Sequence, residues 1–331
     1  MHDIVVIGAS AGGVEALKQI TSGLAPDLDA AIFVVVHVAP DSSGLLPNIL
    51  NRCSKIPAHQ AEDGEAIRPG RIYVAAPNKH LLLEADRVRV VNGPRHNRHR
   101  PAIDLLFRTA ARHFGPRVIG VVLTGFLDDG SSGLLAIHNA GGATIVQNPD
   151  DAEVASMPRN ALDQVQPDYC VPLAEIADVL NRLARVEAKS MARAPNHKSK
   201  QENKQTQTSF TCPDCHGSIW EVDENGAIRY ECRVGHSYSP EGMFQASNED
   251  VERSLWVALR SLEESASLEQ RLADMAQTRN RPHASKRFAE KARERMQHAA
   301  VLREMLVGSK RRQSDAEGED KASTEELEEV S

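Results

Sequence analysis

Several features are scarce in this chain of 331 residues, and each scarcity excludes a class of protein. No apolar run approaches the roughly 18 residues that a membrane span requires. The opening residues Met1-His2-Asp3 lack the basic region of a signal peptide. The five cysteines are odd in number and do not form a disulfide framework. Only 4% of the residues are aromatic, but 41% are hydrophobic, which is enough for a substantial core, and the length allows about two domains. The composition predicts a soluble, cytoplasmic protein that does not insert into a membrane.

Residues 4–13 (IVVIGASAGG), followed by a helix-like stretch over residues 14–20, are the most informative segment. An apolar, β-branched run ends at Ser10, and Gly8 and Gly12 allow a tight turn into the helix. This is the G-x-S-x-G pattern of a nucleophile elbow in its strand–turn–helix context. A glycine-rich turn after a first strand is more often a nucleotide-binding loop. Here the G-x-G-x-x-G pattern is absent and no acidic residue ends the second strand.

A serine nucleophile needs a base and an orienting acid, and candidates for both follow other predicted strands. His37 comes directly after residues 30–36 (AAIFVVV), and Asp129, or less favourably Asp128, follows residues 117–124 (RVIGVVLT). Such continuous apolar runs are typical of strands buried on both faces of a parallel sheet, and ligand sites form outside the carboxyl ends of those strands. Singly, the histidine and the Asp-Asp-Gly turn are more simply structural. With the serine, they indicate a Ser-His-Asp triad.

These residues belong to a series of motifs that resembles the catalytic domain of CheB-type protein-glutamate methylesterases. The resemblance covers about residues 1–186 and keeps the motifs in order. It implies an α/β fold with a doubly wound, mainly parallel sheet. The motifs are residues 6–17 (VIGASAGGVEAL), His37 after its strand, residues 70–75 (GRIYVA) with His80, residues 100–107 (RPAIDLLF), residues 123–130 (LTGFLDDG), Gly133-Leu134, residues 141–144 (GGAT) and residues 157–161 (MPRNA).

The resemblance implies a role for each triad residue. Ser10 corresponds to the nucleophile, His37 to the general base and Asp129 to the acid that orients the histidine. The implied reaction hydrolyses a glutamate γ-methyl ester on a chemoreceptor and releases methanol, and related members also hydrolyse glutamine side-chain amides. Catalysis needs no cofactor, and the implied partners are methylated chemoreceptor-type proteins.

Three positions depart from the family pattern. Phe126 stands where methionine is usual, Leu127 where glycine is usual, and Ala11 where threonine is frequent. If the Leu127 position requires a positive φ, leucine is strained there. The family's N-terminal phospho-receiver domain is also missing before the catalytic strand, so we expect no phosphorylation control in cis. A non-catalytic signalling scaffold or sensor that keeps the esterase fold is the alternative function, but the intact triad favours the enzyme.

Charge is unevenly distributed. Residues 314–331 contain eight acidic side chains and one lysine, so the net charge of this segment is −7, the same as that of the whole chain. The segment 309–331 is therefore predicted to be a disordered acidic tail. Residues 95–100 (RHNRHR) are compatible either with a solvated loop or with a contact to anionic receptor helices. The cluster is short and lacks interleaved aromatic residues, so nucleic-acid binding is not expected.

A second module carries a predicted metal site. Three cysteines and a histidine, in the knuckles CPDC and CRVGH, enclose two short strand patterns joined by a loop containing Asn-Gly. This is the ligand set of a structural zinc site, and a hairpin with so little core needs such a staple. His216 competes as a ligand, but it is adjacent to a cysteine ligand. Because catalysis needs only the triad, chelation is expected to leave it nearly unchanged. The predicted ligands are Cys212, Cys215, Cys232 and His236.

Apolar residues at helical spacing, interrupted by a polar break over residues 278–282, predict a helical hairpin at the end of the chain. The zinc and helical module is also the predicted contact for other signalling proteins. The predicted domains are a catalytic domain (1–188), a flexible polar linker (189–209), a zinc-ribbon-like hairpin (210–245), a helical hairpin (246–308) and the acidic tail (309–331).

Overall fold

The computed structural model describes the backbone of residues 2–185, 204–224 and 227–328. The chain divides into two compact units, with the boundary between Gln245 and Ala246. Among the described residues, no helix combines the length and the apolar character needed to cross a membrane.

A seven-stranded sheet in which all paired strands are parallel forms the centre of the first unit. Its central strands are buried on both faces, as their continuous apolar runs predict. Its strands are β1 (Ile4–Ala9), β2 (Ala31–Val36), β3 (Ala58–Gln60), β4 (Arg71–Val74), β7 (Val118–Val122), β8 (Ala143–Gln147) and β9 (Tyr169–Val171), while β5 (His80–Leu83) and β6 (Val88–Val91) form a separate antiparallel pair. The order of the seven strands across the sheet is β3-β4-β2-β1-β7-β8-β9.

Helices cover both faces of this sheet, which confirms the doubly wound fold. One hydrophobic core packs Leu17, Leu50 and Leu180 from the helices on one face against the sheet, and the other packs Phe107 and Met157 from the helices on the opposite face. The helices are α1 (Gly13–Gly23), α2 (Leu46–Leu50), α3 (Ile103–Phe114), α4 (Ser131–Asn139), α5 (Ser156–Gln164) and α6 (Leu173–Arg185), with short 3-10 turns at Gly115–Arg117 and Pro149–Asp151.

A four-stranded antiparallel sheet, here called the cysteine sheet, lies in the same compact unit. Its strands are β10 (Lys204–Thr211), β11 (Ser218–Glu224), β12 (Ala227–Cys232) and β13 (Ser237–Tyr238). The sequence predicted only the middle two strands. Residues 204–209, expected to end the flexible linker, instead belong to β10, because Thr206 and Thr208 suit a strand and the backbone pairs with β11. The rest of the expected linker, residues 186–203, and the loop residues Asn225 and Gly226 lie outside the described residues.

The helical hairpin is confirmed as α7 (Pro240–Thr278) and α8 (Pro282–Glu328), with the turn at the expected polar break. The two helices meet through a small core that contains Leu259, Ala299 and Leu306. The helix α8 continues through the segment expected to be a disordered tail, as far as Glu328. Residues 309–328 contain no proline and many good helix formers, which favours this continuation.

Candidate active site

Ser10 lies on a tight turn between β1 and α1. The backbone N–H of Ser10 donates to the carbonyl of Thr124 at 3.0 Å, and the Thr124 hydroxyl donates to the carbonyl of Ala11 at 3.0 Å. Gly12 has a φ of 73°, and a Cβ there would lie 2.5 Å from Glu153 Oε2. The positive φ therefore favours glycine at this position, and a larger residue would also require the Glu153 side chain to move.

His37 is beside Ser10 because their strands are paired in register. Ala9 is opposite Val36, and the backbone N–H of His37 donates to the carbonyl of Ala9 at 3.1 Å. The Nε2 atom of His37 lies 2.8 Å from Asp129 Oδ2, and both side chains are almost completely buried. Within the described part of the chain, Nδ1 of His37 is buried without a hydrogen-bond partner, and no hydrogen bond joins it to the Ser10 hydroxyl.

Four donors surround the Asp129 carboxylate. His37 Nε2 and the backbone N–H of Ile103 (2.7 Å) lie at Oδ2, while Asn97 Nδ2 (3.0 Å) and the backbone N–H of Asp104 (3.2 Å) donate to Oδ1. The two backbone donors belong to the N-terminus of α3, where a negative charge is favoured. Burial by itself raises the pKa of Asp129, but the hydrogen bond and charge of His37 outweigh it and hold the pKa below its ordinary range.

The two neighbouring acids have different partners. Asp128 accepts a hydrogen bond from Ser239 Oγ at 2.9 Å, and burial, with the charge of Asp129, raises its pKa to about 6. Asp104 accepts from the backbone N–H groups of Gly130 and Gly133, and burial together with Asp129 raises its pKa to about 7. The carboxylate at His37 is therefore that of Asp129, the preferred candidate from the sequence, and not that of Asp128.

Residues 95–100 pack over this site. The His99 ring stacks on the His37 ring with the centroids 3.5 Å apart and the planes 5° apart. Burial, with the neighbouring His37, lowers the pKa of His99 to about 3, so this ring is neutral near pH 7. The Arg100 guanidinium donates to Asn78 Oδ1 and to the carbonyl of Gly93. The loop is thus mostly a packed element, and contact with a receptor remains a prediction.

Leu127 stands where the family usually has glycine, and it adopts the left-handed conformation, with a φ of 63°. The turn is held from α5, because Ser156 Oγ accepts from the backbone N–H of Leu127 and Asn160 Nδ2 donates to its carbonyl. Leucine is therefore accommodated in a conformation that favours glycine, and the adjacent Phe126 side chain is exposed.

The sulfur and nitrogen atoms of Cys212, Cys215, Cys232 and His236 converge in the cysteine sheet, all within 4.8 Å of one another. The sulfur atoms of Cys215 and Cys232 are 3.6 Å apart. His236 Nδ1 lies 3.6 Å from the sulfur of Cys212 and 3.5 Å from that of Cys232. A tetrahedral zinc ion with ordinary bond lengths requires S···S edges of about 3.8 Å and S···N edges of about 3.5 Å. The cluster therefore fits such an ion, and the competing candidate His216 is not part of it.

Comparisons with known proteins show a likeness over the first part of the chain. The model of the family described as CheB methylesterase matches residues 5–180. A Leptospira interrogans (serovar copenhageni) protein, provisionally named protein-glutamate methylesterase/protein-glutamine glutaminase, is 41% identical over 183 residues, which cover 55% of this chain and 95% of that protein. The Salmonella typhimurium protein with the same enzyme name is 35% identical and is covered over 53% of its length, against 56% of this chain. The crystal structure of the Thermotoga maritima CheB methylesterase catalytic domain superposes with a TM-score of 0.54 at 32% identity, covering 55% of this chain and 99% of that domain.

Proposed function

The chain belongs to the CheB methylesterase family, and from this premise we propose that it demethylates glutamate γ-methyl esters on chemoreceptor-type proteins. The observation that carries the proposal is the buried pair of His37 and Asp129 beside a serine on a nucleophile elbow. The setting is chemotaxis or related signalling in the cytoplasm. The same acyl chemistry serves for glutamine side chains, where ammonia leaves in place of methanol.

The hydrogen bond between His37 and Asp129 sets the direction of proton transfer. With Nε2–H donating to Asp129, the neutral imidazole presents Nδ1 as the base that takes the proton of the Ser10 hydroxyl. The serine oxygen then bonds to the ester carbonyl carbon, and Asp129 stabilises the imidazolium that forms. The imidazolium returns its proton to the leaving methoxy group, which departs as methanol. Water, deprotonated by the same nitrogen, then cleaves the acyl-serine and restores the glutamate carboxylate.

Backbone N–H groups supply the oxyanion site. Those of Ala11 and Gly12 at the start of α1, and that of Phe126, have no acceptor among the described residues. Each such donor is typically worth about 3 kcal/mol in the transition state. Because only main-chain groups are used, the replacements of threonine by Ala11 and of methionine by Phe126 are compatible with activity.

The cysteine cluster is proposed to hold one structural zinc ion. All four ligand positions are taken by protein side chains, which leaves none for water or substrate. Catalysis itself uses no metal or other cofactor, since the proposed steps need only the triad and backbone donors.

Replacement of the nucleophile tests the function directly. Incubated with a chemoreceptor carrying radiolabelled glutamate methyl esters, the Ser10→Ala variant should release methanol at least about 10⁴-fold more slowly than the wild type. His37→Ala and Asp129→Asn should be severely impaired as well, and a combined variant no worse than Ser10→Ala, because triad members act as a unit. Ser22→Ala, which changes an exposed serine near the end of α1, is the control that should keep full activity.

Retention of wild-type methanol release by Ser10→Ala would refute the proposal. If the wild-type protein binds the methylated receptor but releases no methanol, the scaffold alternative is favoured instead.

A further inference from the structure

We propose that the cysteine sheet positions the triad aspartate: through Ser239 and Asn97 it holds Asp129, so that loss of the metal or of these contacts slows the esterase. The inference rests on the triad assignment made above. It runs against the expectation from sequence that chelation leaves catalysis nearly unchanged. Ser239 and Asn97 act here as positioning residues, because they reach the reacting groups only through Asp129 and Asp128.

Asn97 is the first link in this connection. Its side chain is buried, and Nδ2 donates both to Asp129 Oδ1 and to Asp104 Oδ2, each at 3.0 Å. One amide therefore bridges two carboxylates that repel each other in a buried site. Without this bridge, Asp129 loses the side-chain donor opposite His37, and Oδ1 keeps only the longer bond from the backbone N–H of Asp104, at 3.2 Å. The carboxylate is then held less firmly against His37 Nε2.

The cysteine sheet holds Asn97 in place from the other side. The backbone N–H of Asn97 donates to the carbonyl of Ser237, and its Oδ1 accepts from the backbone N–H of Ser239, both at 2.7 Å. His96 also forms a β-bridge with Ser237. Asn97 has a φ of 47°, a left-handed conformation that asparagine tolerates. Its side-chain direction is therefore set by contacts from a segment 142 residues away in sequence.

Ser239 makes a second contact with the same region. Its hydroxyl donates to Asp128 Oδ1 and accepts from the backbone N–H of Gly242, each at 2.9 Å. The second bond is an N-cap at the start of α7. One hydroxyl thus joins the first turn of this helix to the aspartate that precedes Asp129.

The metal cluster is directly connected to these contacts. His236 immediately precedes Ser237 and Tyr238, the two residues of β13. The Tyr238 hydroxyl donates to Asp214 at 2.6 Å and lies 3.4 Å from Cys212 Sγ. A metal bound to His236 and the cysteines therefore fixes the strand whose carbonyl and following N–H hold Asn97. Loss of the metal releases that strand, and with it the orientation of Asn97.

Single substitutions separate positioning from folding. Asn97→Ala removes the bridge, Ser239→Ala removes the hydroxyl, and Ser239→Thr keeps it. Thr208→Ala is the matched control within the cysteine sheet, because the Thr208 hydroxyl also donates one bond, to the carbonyl of Ile219, and accepts one, from the N–H of Phe210. All are made in the full chain, with folding checked by circular dichroism and thermal unfolding.

We expect Asn97→Ala and Ser239→Ala to lower kcat on the radiolabelled receptor about 10-fold or more, with KM within about twofold of the wild type. Ser239→Thr should restore most of the activity, and Thr208→Ala should be active. Removal of the metal from the wild type by a chelator should lower kcat in the same way, and added zinc should restore it.

A spectroscopic readout tests the same contacts without turnover. The downfield proton resonance of the His37 ring N–H bonded to Asp129 should shift or broaden in Asn97→Ala, in Ser239→Ala and in the metal-free protein, but not in Thr208→Ala. An unchanged resonance and unchanged kcat in folded Asn97→Ala and Ser239→Ala would overturn the inference. A change of equal size in Thr208→Ala would overturn it too, because the effect would then be general destabilisation.

Failure of the proposed function gives a different pattern. The wild type would then release no methanol, whereas the resonance would still respond to Asn97→Ala and Ser239→Ala if the cysteine sheet holds Asp129.

Discussion

At the scale of the residue, the site combines one strained backbone position with three buried carboxyl groups. Leu127 takes a left-handed conformation one residue before Asp128 and two before Asp129. Asp129 and Asp104 share the Asn97 donor, whereas Asp128 accepts from Ser239. The pKa is lowered for Asp129 and raised for Asp104 and Asp128. Asp129, which faces the histidine, is therefore ionised, whereas Asp104 and Asp128 ionise less readily than ordinary aspartates because of their surroundings.

Substitution of Leu127 tests the strain. Leu127→Gly and Leu127→Ala both remove the half-buried side chain, but only glycine relieves a positive φ. The free energy of unfolding of Leu127→Gly should exceed that of Leu127→Ala by about 1 kcal/mol, measured by urea denaturation. Equal stability of the two variants would show that the left-handed conformation carries no cost in this turn.

Asp128 should make stability depend on pH. Its pKa in the folded protein, about 6, lies above the ordinary value of 3.8, so the folded state binds this proton more tightly than the unfolded chain does. The contribution of Asp128 to the free energy of unfolding therefore falls as pH rises from about 4 to about 6. Asp128→Asn keeps an acceptor for Ser239 but cannot ionise. Relative to the wild type, it should gain on the order of 2 kcal/mol across this window.

Urea denaturation at pH 4 and pH 7 measures this change. Asp163→Asn, an exposed carboxylate on α5, is the control and should follow the wild type at both pH values. A parallel pH dependence of Asp128→Asn and the wild type would show that Asp128 ionises normally in the fold.

At the scale of the element, the end of the cysteine sheet and the start of α7 form hydrogen bonds with other parts of the first unit. The strand β13 has only two residues, yet its neighbours include a metal-ligand candidate, the 95–100 loop and the N-cap of α7. A serine followed by proline at the first helical position is a capping signal for the start of α7. The helix α7 consequently begins at Pro240, before the expected residue 246.

Metal content tests the cysteine sheet as an element. Purified protein should contain one zinc ion per chain by elemental analysis, and Cys232→Ser should lose it. In that variant, amide protons of β11 and β12 should exchange quickly, because the sheet has little apolar core of its own. Cys170→Ser, an exposed thiol outside the cluster, should keep both the zinc and the protection. Absence of zinc from the wild type, with unaltered exchange in Cys232→Ser, would contradict the site.

At the scale of the whole molecule, the first compact unit contains both sheets, although the sequence places a polar segment between them. The seven strands of the parallel sheet and the helices that cover it precede residue 186, and none of the strands described after residue 203 joins this sheet. The contacts of Asn97 with Ser237 and Ser239 nevertheless connect the two sheets. We therefore expect residues up to about 186 to be enough for the parallel-sheet fold, whereas full activity also requires the cysteine sheet.

Limited proteolysis tests this difference. The first cuts should fall within residues 189–203, whose composition is polar and rich in lysine. The two fragments should elute together on gel filtration and retain methanol release, because the contacts between the sheets are not cut. The fragment 1–188 by itself should keep its secondary structure but turn over at least about 10-fold more slowly. Full activity of the isolated fragment would contradict a role for the cysteine sheet.

The sequence by itself determined the features that depend on local pattern. Apolar runs of strand length, with Ser10 and His37 directly after two of them and Asp129 in the turn after a third, placed the candidate triad at one edge of a parallel sheet. The spacing within the two knuckles likewise indicated the metal-ligand set. These patterns are informative because hydrophobic period and ligand spacing are properties of short segments.

Only the tertiary structure decided which groups support the triad. It brought Asp129 rather than Asp128 to His37, stacked His99 on that ring, and joined Asn97 to Ser239. None of these contacts is encoded in a local period, because each depends on how loops and sheets pack after the elements have formed. A hydrogen bond across 142 residues of sequence exists only in the assembled fold, and the orientation of the catalytic acid is set there.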